Sequence, residues 1–374
     1  MKPYSNRKEK NTPKVDIFVQ SNAGHLQQLY TGFAALHAAG KIKLIQHLKK
    51  KPAMNSSVEP HLRDARLAHC SAIIDEKYHI YYDMHDSWEV DEEALNNNDL
   101  YFKRSFHPEK FSKAITNLSK IRAYGLNYEV TSNPPDLFAL QRSLLARNAR
   151  EFLTGMGWAT GLANLWQFIP SLPRMEAPPP EDAPPTVLFM ARTWDPNQSS
   201  AHLDLKRKVD RDAINLMRAE CIRALRAAFG EKFVGGFAST EFARKAYPDL
   251  ILNNDSYAKR NYIEILRANT IGVTTAGLHG SIGWKMAEYV AFSRAIVTEE
   301  LHTTLPGSFA EGSNYLSFRT PSECVEQVRY LLSNDLLRKR MMQNNRDYYL
   351  NYLHPKCIVA RTIQEAVDSQ LLKL

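Results

Sequence analysis

A proline-rich segment divides the chain near its middle. Residues 173–185 have the sequence PRMEAPPPEDAPP, with six prolines in thirteen residues. Proline fixes the backbone φ angle and lacks an N–H donor, so this segment cannot form a helix interior or a central strand. The chain has 374 residues, more than one hydrophobic core usually serves. We therefore predict two domains, residues 15–172 and 186–353, joined by a linker over residues 173–185.

Short apolar runs alternate with amphipathic helical stretches on both sides of this linker. Strands are predicted at residues 15–20, 43–48, 78–83, 100–102, 186–190, 271–274 and 295–297. The string TPSE at residues 320–323 is a capping box with proline at the first helical position, which predicts a helix from Pro321. Alternating strands and helices are typical of βαβ units. Each half is therefore predicted to be an α/β domain with a doubly wound, parallel sheet.

The net charge favours anionic partners. Lys and Arg exceed Asp and Glu by 48 − 40 = 8, which suits nucleic acid, acidic lipid headgroups or phosphorylated substrates. Part of the excess lies in residues 1–14, a predicted basic flexible arm. This arm is either a solvated tail or a contact for an anionic membrane surface. Nucleic acid is not the expected partner, because no recognisable reader motif accompanies the charge.

The cysteines and the N-terminus indicate a cytoplasmic protein. The four cysteines are scattered, without a CxxC pair, which fits neither a zinc site nor a disulfide framework. No apolar stretch of the signal-peptide kind occurs at the N-terminus. Residues 152–170 are apolar and contain Trp158 and Trp166, and two interpretations stay open: a helix packed at the domain interface, or an interfacial membrane helix.

The most informative stretch is TTAGLHGSIGWKMAEYVAFSRAIV, residues 274–297. It predicts a strand, a turn of small residues from Gly277 to Gly283, a helix and a second strand. Small residues allow close backbone approach to a ligand, and the free N–H groups at a helix start bind a diphosphate. Glu288 lies one to two turns into this helix, where a carboxylate can accept the hydroxyls of a ribose. A glycine-rich turn can also serve only to connect a strand to a helix.

This stretch resembles the signature of bacterial GT-B glycosyltransferases of the group 1 type, in which a similar turn precedes an "EYLAxGKAIV"-like run. Here the run is EYVAFSRAIV, residues 288–297. The resemblance implies two Rossmann-like domains facing a cleft, and a nucleotide sugar bound by the C-terminal domain. It implies that Glu288 binds the donor ribose and that Gly280, Ser281 and Gly283 face the diphosphate. It also implies that the C-terminal helix, in residues 354–374, crosses back onto the first domain.

A second similar piece is VLFMARTWDP, residues 187–196. It resembles the first strand of a GT-B donor domain, where an arginine contacts the diphosphate, and Arg192 holds that position. A planar guanidinium suits phosphate oxygens, although a surface salt bridge is the alternative. Lys285 is a further candidate phosphate contact, and His279 is a further candidate for donor binding. His279 lies nine residues before Glu288, and position 280 carries glycine where many retaining members carry a glutamate, so the spacing leaves the retaining or inverting outcome open.

Two histidines are candidates on the acceptor side. His25 follows the first predicted strand, where it resembles the general base of inverting GT-B enzymes; a polar residue at a helix start is the alternative. The pair His85-Asp86 resembles a His-Asp pair that lines the donor-sugar pocket in retaining members. With Asp83 it could also bind a divalent metal, but GT-B chemistry generally needs no metal or other cofactor.

The pair Lys103-Arg104 ends another predicted strand and could bind a phosphorylated acceptor, with a solvated loop as the alternative. Together these features predict a transferase that moves a sugar from a UDP- or GDP-sugar to a glycan or lipid-linked acceptor in surface polysaccharide synthesis. Peripheral contact with the inner face of the membrane is a further expectation. The alternatives are a nucleotide-sugar 2-epimerase on the same fold, and a non-catalytic binder of polyanions or anionic lipid.

Overall fold

Two α/β domains face each other across a cleft. The structure, a computed structural model, describes residues 12–49, 67–111, 117–133, 136–146, 148–197 and 205–371. Most of the predicted basic arm, residues 1–14, therefore lies outside the described residues.

The first domain is built on a six-stranded sheet in the order β2-β1-β3-β4-β5-β6. Its strands are β1 (Lys14–Val19), β2 (Lys43–Leu48), β3 (His69–Ile74), β4 (Tyr78–Asp83), β5 (Leu100–Lys103) and β6 (Ile121–Ala123). Its helices are α1 (Gln27–Ala38), α2 (Glu92–Asn97), α3 (Leu137–Ser143) and α4 (Ala149–Thr160). Inward-facing residues of β1, such as Val15 and Ile17, pack under Phe33 of α1.

The first sheet is mixed, which corrects the prediction of a parallel sheet. Strand β3, absent from the prediction, pairs antiparallel with both β1 and β4. It is joined to β4 by a tight turn in which Asp75 and Glu76 have positive φ angles of 50° and 57°. Hairpin turns with two residues at positive φ usually contain Asn-Gly or Asp-Gly. Here the turn carries Asp-Glu, so the sequence lacked the usual signal.

The second domain contains a five-stranded, fully parallel sheet in the order β11-β10-β9-β7-β8. Its strands are β7 (Val187–Ala191), β8 (Phe233–Phe237), β9 (Ile271–Thr274), β10 (Ala295–Glu299) and β11 (Leu316–Phe318). Its helices are α5 (Leu205–Phe229), α6 (Glu241–Ala246), α7 (Asn254–Tyr257), α8 (Lys259–Ala268), α9 (Trp284–Ala291), α10 (Pro321–Ser333) and α11 (Asp335–Tyr348). The strands are buried on both faces, as parallel strands between helix layers are.

The last helix, α12 (Pro355–Leu371), packs on the first domain. It crosses α1 so closely that a Cβ added at Gly32 would lie 2.3 Å from the carbonyl oxygen of Pro355. The Tyr82 hydroxyl lies 2.8 Å from Thr362 Oγ1, and Gln28 donates to the carbonyl of Leu353 at 2.9 Å. The expected crossing back to the first domain is therefore present.

The apolar stretch at residues 152–170 is not one continuous helix. Helix α4 ends at Thr160, and a short 3-10 turn (Leu162–Leu165) follows Gly161, whose φ is 76°. Helix α4 packs against α3, with Gly155 beside Ser143 of that helix. Leu153, Leu165 and Trp166 are exposed. No helix in the described part of the chain is long and apolar enough to cross a membrane.

Candidate functional site

The cleft is lined by loops at the carboxyl ends of β1, β4 and β5 and by the loop that follows β9. Three polar contacts join its two sides. Arg104 donates to the carbonyl of Ile282 at 2.7 Å, Thr304 N donates to the carbonyl of Phe106 at 2.9 Å, and His107 Nε2 lies 3.0 Å from Thr303 Oγ1. Ligands of open α/β sheets bind outside the carboxyl ends of the strands. The cleft is therefore the candidate site.

The loop of residues 277–283 leads into the start of α9. It closes on itself through Gly277 N, which donates to the carbonyl of Ser281 at 2.8 Å, and Ser281 is buried. His279 and Gly280 adopt left-handed φ angles of 61° and 71°, which is costly for the histidine. Gly283 precedes the helix without a side-chain cap, and the space around its Cα is open. The positive end of the helix dipole therefore faces an uncapped, accessible position.

Glu288 lies inside this helix and is 3% exposed. Its Oε1 accepts from Lys259 Nζ at 2.7 Å, and its Oε2 accepts from the Tyr262 hydroxyl at 2.7 Å. Burial acts to raise the pKa of Glu288, but Lys259 and Lys285 outweigh it and hold the pKa below its ordinary value. Both carboxylate oxygens have protein partners. The ribose contact of Glu288 stays a prediction, in which ribose hydroxyls would donate to the remaining lone pairs of these oxygens.

Cations gather around Glu288. The Lys285 ammonium lies 4.0 Å from the centre of the Tyr262 ring, and burial together with Lys259, Arg192 and Arg218 lowers its pKa to about 8. The side chain of Arg192 is exposed. Its backbone carbonyl accepts from Arg218 Nη1 at 2.7 Å. Arg192 and Lys285, both predicted as phosphate contacts, therefore lie on the same side of the cleft as Glu288.

Arg218 fixes the ends of two strands at this site. Besides the Arg192 carbonyl, it contacts Thr275 Oγ1 at 2.9 Å and the carbonyl of Ala276 at 3.0 Å. Burial lowers its pKa to about 10, with Glu299 opposing. Neither Arg218 nor Lys259 was a sequence candidate. Each lies on an amphipathic helix, where a basic residue gives no sign of the partner it meets.

On the first domain, Asp83 is the centre of a buried network. It accepts from Lys103 Nζ at 2.7 Å, from the Tyr101 hydroxyl, and from His85, whose Nδ1 lies 2.7 Å away. Burial acts to raise the pKa of Asp83, but His85 and Lys103 hold it far below its usual range. The Lys103 side chain is fully buried. Lys103 is thus a counter-ion of Asp83, which corrects its prediction as an acceptor contact.

Asp86 and Arg104 form a second pair beside this network. Arg104 is 5% exposed, and through the Ile282 carbonyl it connects the first domain to the 277–283 loop. Burial acts to raise the pKa of Asp86, whereas Arg104, His25 and His279 lower it and prevail. Arg104, predicted as an acceptor contact, therefore forms a hydrogen bond between the two domains. The predicted residues His25, His279 and Asp86 lie around it.

His25 lies in a 3-10 turn (Gly24–Leu26) after β1, with its ring edge-on to Trp284 at 5.0 Å between centroids. Its Nδ1 is buried without a hydrogen-bond partner. Burial, and then the Arg104 guanidinium, lower the pKa of His25 to about 4. The imidazole is neutral at pH 7, as the predicted base requires, but a pKa this low makes it a weak proton acceptor.

Glu129 is a cleft carboxylate that the sequence analysis missed. A Cβ added at Gly24 would lie 3.6 Å from Glu129 Oε1. Burial and then the Glu288 carboxylate raise the pKa of Glu129, while Lys259 and Arg192 lower it. The alternating segment LNYEV at residues 126–130 was the available signal, since it places Glu129 opposite apolar neighbours.

Metal ligation has no support in the described ranges. Asp83 and His85 contact each other, but no group of three or more His, Cys, Asp or Glu side chains in the described part of the chain could hold a metal ion.

Comparison with known proteins gives a match in the second domain. Residues 218–363 match the family model described as "Glycosyl transferase-like". These residues include Lys259, the 277–283 loop and Glu288. Among curated proteins, no sequence matches the chain.

Three solved structures illustrate the similarity. The C-terminal domain of the glycosyl transferase group 1 family protein LpcC from Francisella tularensis is 12% identical, with a TM-score of 0.33, and the match covers 47% of this chain and 95% of that one. A variant of the wall teichoic acid polymerase TagF is 12% identical, with a TM-score of 0.29, and this chain covers 61% of its length with 75% of its own. A putative UDP-N-acetylglucosamine 2-epimerase from Listeria monocytogenes is 9% identical, with a TM-score of 0.49 and coverage of 96% and 98%.

At TM-scores below 0.5 these likenesses do not bear on the chemistry of the site. The fold is defined instead by the two facing α/β domains and the crossing of α12, and the family match covers residues 218–363. The chain has two α/β domains in the GT-B arrangement, and its residues 218–363 are similar to the glycosyl transferase-like family.

Proposed function

We propose that this protein transfers a sugar from a nucleoside-diphosphate sugar bound in the cleft. The observation that carries the proposal is the set of cations at the start of α9. Lys259 and Lys285 lie near one buried carboxylate, Glu288, and the exposed Arg192 lies near Lys285, beside an uncapped helix N-terminus. Such a positive site is suited to the two phosphates of a nucleotide.

The same cations would assist the chemistry. In glycosyl transfer the bond between the sugar and the diphosphate breaks, and negative charge develops on the departing phosphate oxygen. Fixed cations and helix N–H groups stabilise that charge without reorganising. Arg192 and Lys285 would contact the phosphates, and Glu288 would hold Lys259 and Lys285 in place.

The finer features stay predictions from the sequence. A UDP- or GDP-sugar donor, a glycan or lipid-linked acceptor in surface polysaccharide synthesis, and peripheral membrane contact have no described contact that bears on them.

Isothermal titration with UDP, GDP, ADP, CDP and TDP tests the donor site. We expect one nucleotide to bind, and Arg192→Ala to weaken its binding about 10- to 100-fold, since a hydrogen bond to a charged group contributes roughly 1.5–3 kcal/mol. The matched control is Arg223→Ala, which removes a half-exposed arginine paired with Asp249 on the same domain and should leave binding unchanged.

Two results would count against the proposal: no binding of any nucleotide to the wild type, or equal binding by Arg192→Ala. Product analysis with the matching nucleotide sugar separates the alternatives. A transferase releases the nucleoside diphosphate, whereas a 2-epimerase converts one nucleotide sugar into another and releases none at steady state.

A further inference from the structure

We propose that Glu129 is the general base of the transfer reaction, accepting the proton of the acceptor hydroxyl. This inference rests on the proposed function above. It concerns a residue on the segment that follows β6, whose alternate residues pack in a core shared with the second domain.

The geometry of this segment directs Glu129 into the cleft. Leu126, Tyr128 and Val130 alternate along it and are buried in a core shared with the second domain. In an extended segment the intervening residues point to the other side. There Asn127 donates to the carbonyl of His25 at 3.0 Å, and the Glu129 carboxylate lies beside Gly24. Glu129 therefore lies between the His25 turn and the donor cations.

Glu129 is the cleft carboxylate with free oxygens. Asp83 is occupied by Lys103, Tyr101 and His85, and Asp86 is paired with Arg104. Both oxygens of Glu288 are engaged by Lys259 and Tyr262. Within the described ranges, Glu129 makes no hydrogen bond or ion pair within contact distance. A proton acceptor needs a lone pair that no protein group occupies, and Glu129 offers it.

The charges that face Glu129 suit this role better than those around His25. Across the cleft, Lys259 and Arg192 favour its ionised form, and burial and Glu288 oppose it. The net effect raises the pKa of Glu129 above its ordinary value, whereas the pKa of His25 falls to about 4. A base is most effective when its pKa lies near the working pH. Glu129 is thus the stronger proton acceptor of the two.

The transfer proceeds as a single displacement at the anomeric carbon. The acceptor oxygen forms a bond to the anomeric carbon as its proton passes to a Glu129 oxygen. The bond from that carbon to the phosphate oxygen breaks, and the electron pair leaves with the nucleoside diphosphate, whose charge Arg192 and Lys285 neutralise. Glu129 then returns the proton to solvent. Inversion at the anomeric carbon follows from this sequence.

The test uses water as the acceptor, so that the natural acceptor need not be known. Release of the nucleoside diphosphate from UDP-glucose, UDP-N-acetylglucosamine and GDP-mannose is followed from pH 5 to 9 in the full-length protein. We expect Glu129→Gln to lower kcat about 100-fold or more and to abolish the fall in rate at acidic pH. Binding of the free nucleoside diphosphate should change less than about threefold, which also shows that the variant is folded.

Three further variants sharpen the comparison. Glu129→Asp keeps a carboxylate and should recover part of the rate. His25→Gln should keep the fall at acidic pH. Glu264→Gln, at an exposed position of α8, should match the wild type. A Glu129→Gln rate within about threefold of the wild type, or a retained fall at acidic pH, would overturn the inference.

The outcomes separate this inference from the proposed function. If the wild type binds no nucleotide, the proposed function fails, and the inference fails with it. If the wild type binds a nucleotide and Glu129→Gln releases it from the sugar donor at the wild-type rate, the donor site stands and only the role of Glu129 is refuted.

Discussion

Replacing Lys285 by methionine should make the protein more stable at neutral pH. Lys285 is partly buried beside Lys259, Arg192 and Arg218, with its ammonium over the Tyr262 ring. Burial and these three cations disfavour its charged form, and Glu288 offsets them only in part. Methionine has a similar length, carries no charge and packs well in irregular apolar surroundings. The variant therefore removes a destabilising charge and leaves the bonds of Glu288 to Lys259 and Tyr262.

The lowered pKa of Lys285 sets the size of the expected change in the free energy of unfolding. It falls from 10.5 to about 8 in the folded protein. At about 1.4 kcal/mol per pKa unit, the charged ammonium costs the folded state roughly 3 kcal/mol at pH 7. The contact with the Tyr262 ring returns about 1 kcal/mol, and the variant loses it. We expect Lys285→Met to raise the free energy of unfolding by about 1–2 kcal/mol.

The pH dependence of the stability difference between Lys285→Met and the wild type tests its direction a second time. Because the folded pKa is depressed, the unfolded chain binds more protons between about pH 8 and 10.5, and the wild type gains stability as the pH rises through this range. The advantage of Lys285→Met should be complete below about pH 8 and vanish near pH 10.5. Urea unfolding at several pH values measures it, with Lys339→Met, an exposed lysine of α11, as the control expected to change stability by less than about 0.5 kcal/mol. A less stable Lys285→Met variant at pH 7, or an advantage that does not depend on pH, would refute the reasoning.

Two glycine substitutions test the packing around the site. Gly32→Ala places a Cβ 2.3 Å from the Pro355 carbonyl, so we expect a loss of about 1–3 kcal/mol in the free energy of unfolding and faster proteolysis of α12; unchanged proteolysis would contradict the close crossing. Gly24→Ala places a Cβ 2.8 Å from Trp284 Cη2, so the ring must move beside the candidate base, and we expect roughly 10- to 100-fold slower release of nucleoside diphosphate. A wild-type rate in Gly24→Ala would show that Trp284 needs no fixed position.

Local signals predicted individual elements in both domains. Strand β4 of the first domain and strand β9 of the second begin and end where the apolar runs predicted. Helix α10 begins at Pro321 with the Thr320 hydroxyl accepting from Glu323 N, as the capping box requires. These features depend on neighbours within a few residues, so the sequence alone determines them. Strand β3 was not predicted because its turn depends on two residues, Asp75 and Glu76, that seldom adopt positive φ angles.

The sequence predicted where the candidate site lies but not which of its charged side chains pair with each other. Candidates after predicted strands lie in the cleft because the carboxyl ends of strands meet at one edge of a sheet. Which charge meets which depends on contacts far apart in the chain. Lys103 pairs with Asp83, and Glu288 pairs with Lys259, separated by 20 and 29 residues. No local rule connects such residues, so a basic pair at a strand end was mistaken for an acceptor contact.

The charge imbalance at α9 links stability to binding. Glu288 supplies one negative charge for Lys259 and Lys285, and Arg192 and Arg218 add positive charge nearby. Burial and this uncompensated positive charge together lower the pKa of Lys285. A bound diphosphate would supply the missing negative charge and raise that pKa again, so binding near pH 8 should take up protons. A site whose excess positive charge is offset by a bound anion is what a leaving-group pocket requires, since the same cations must stabilise charge that appears only as the bond breaks.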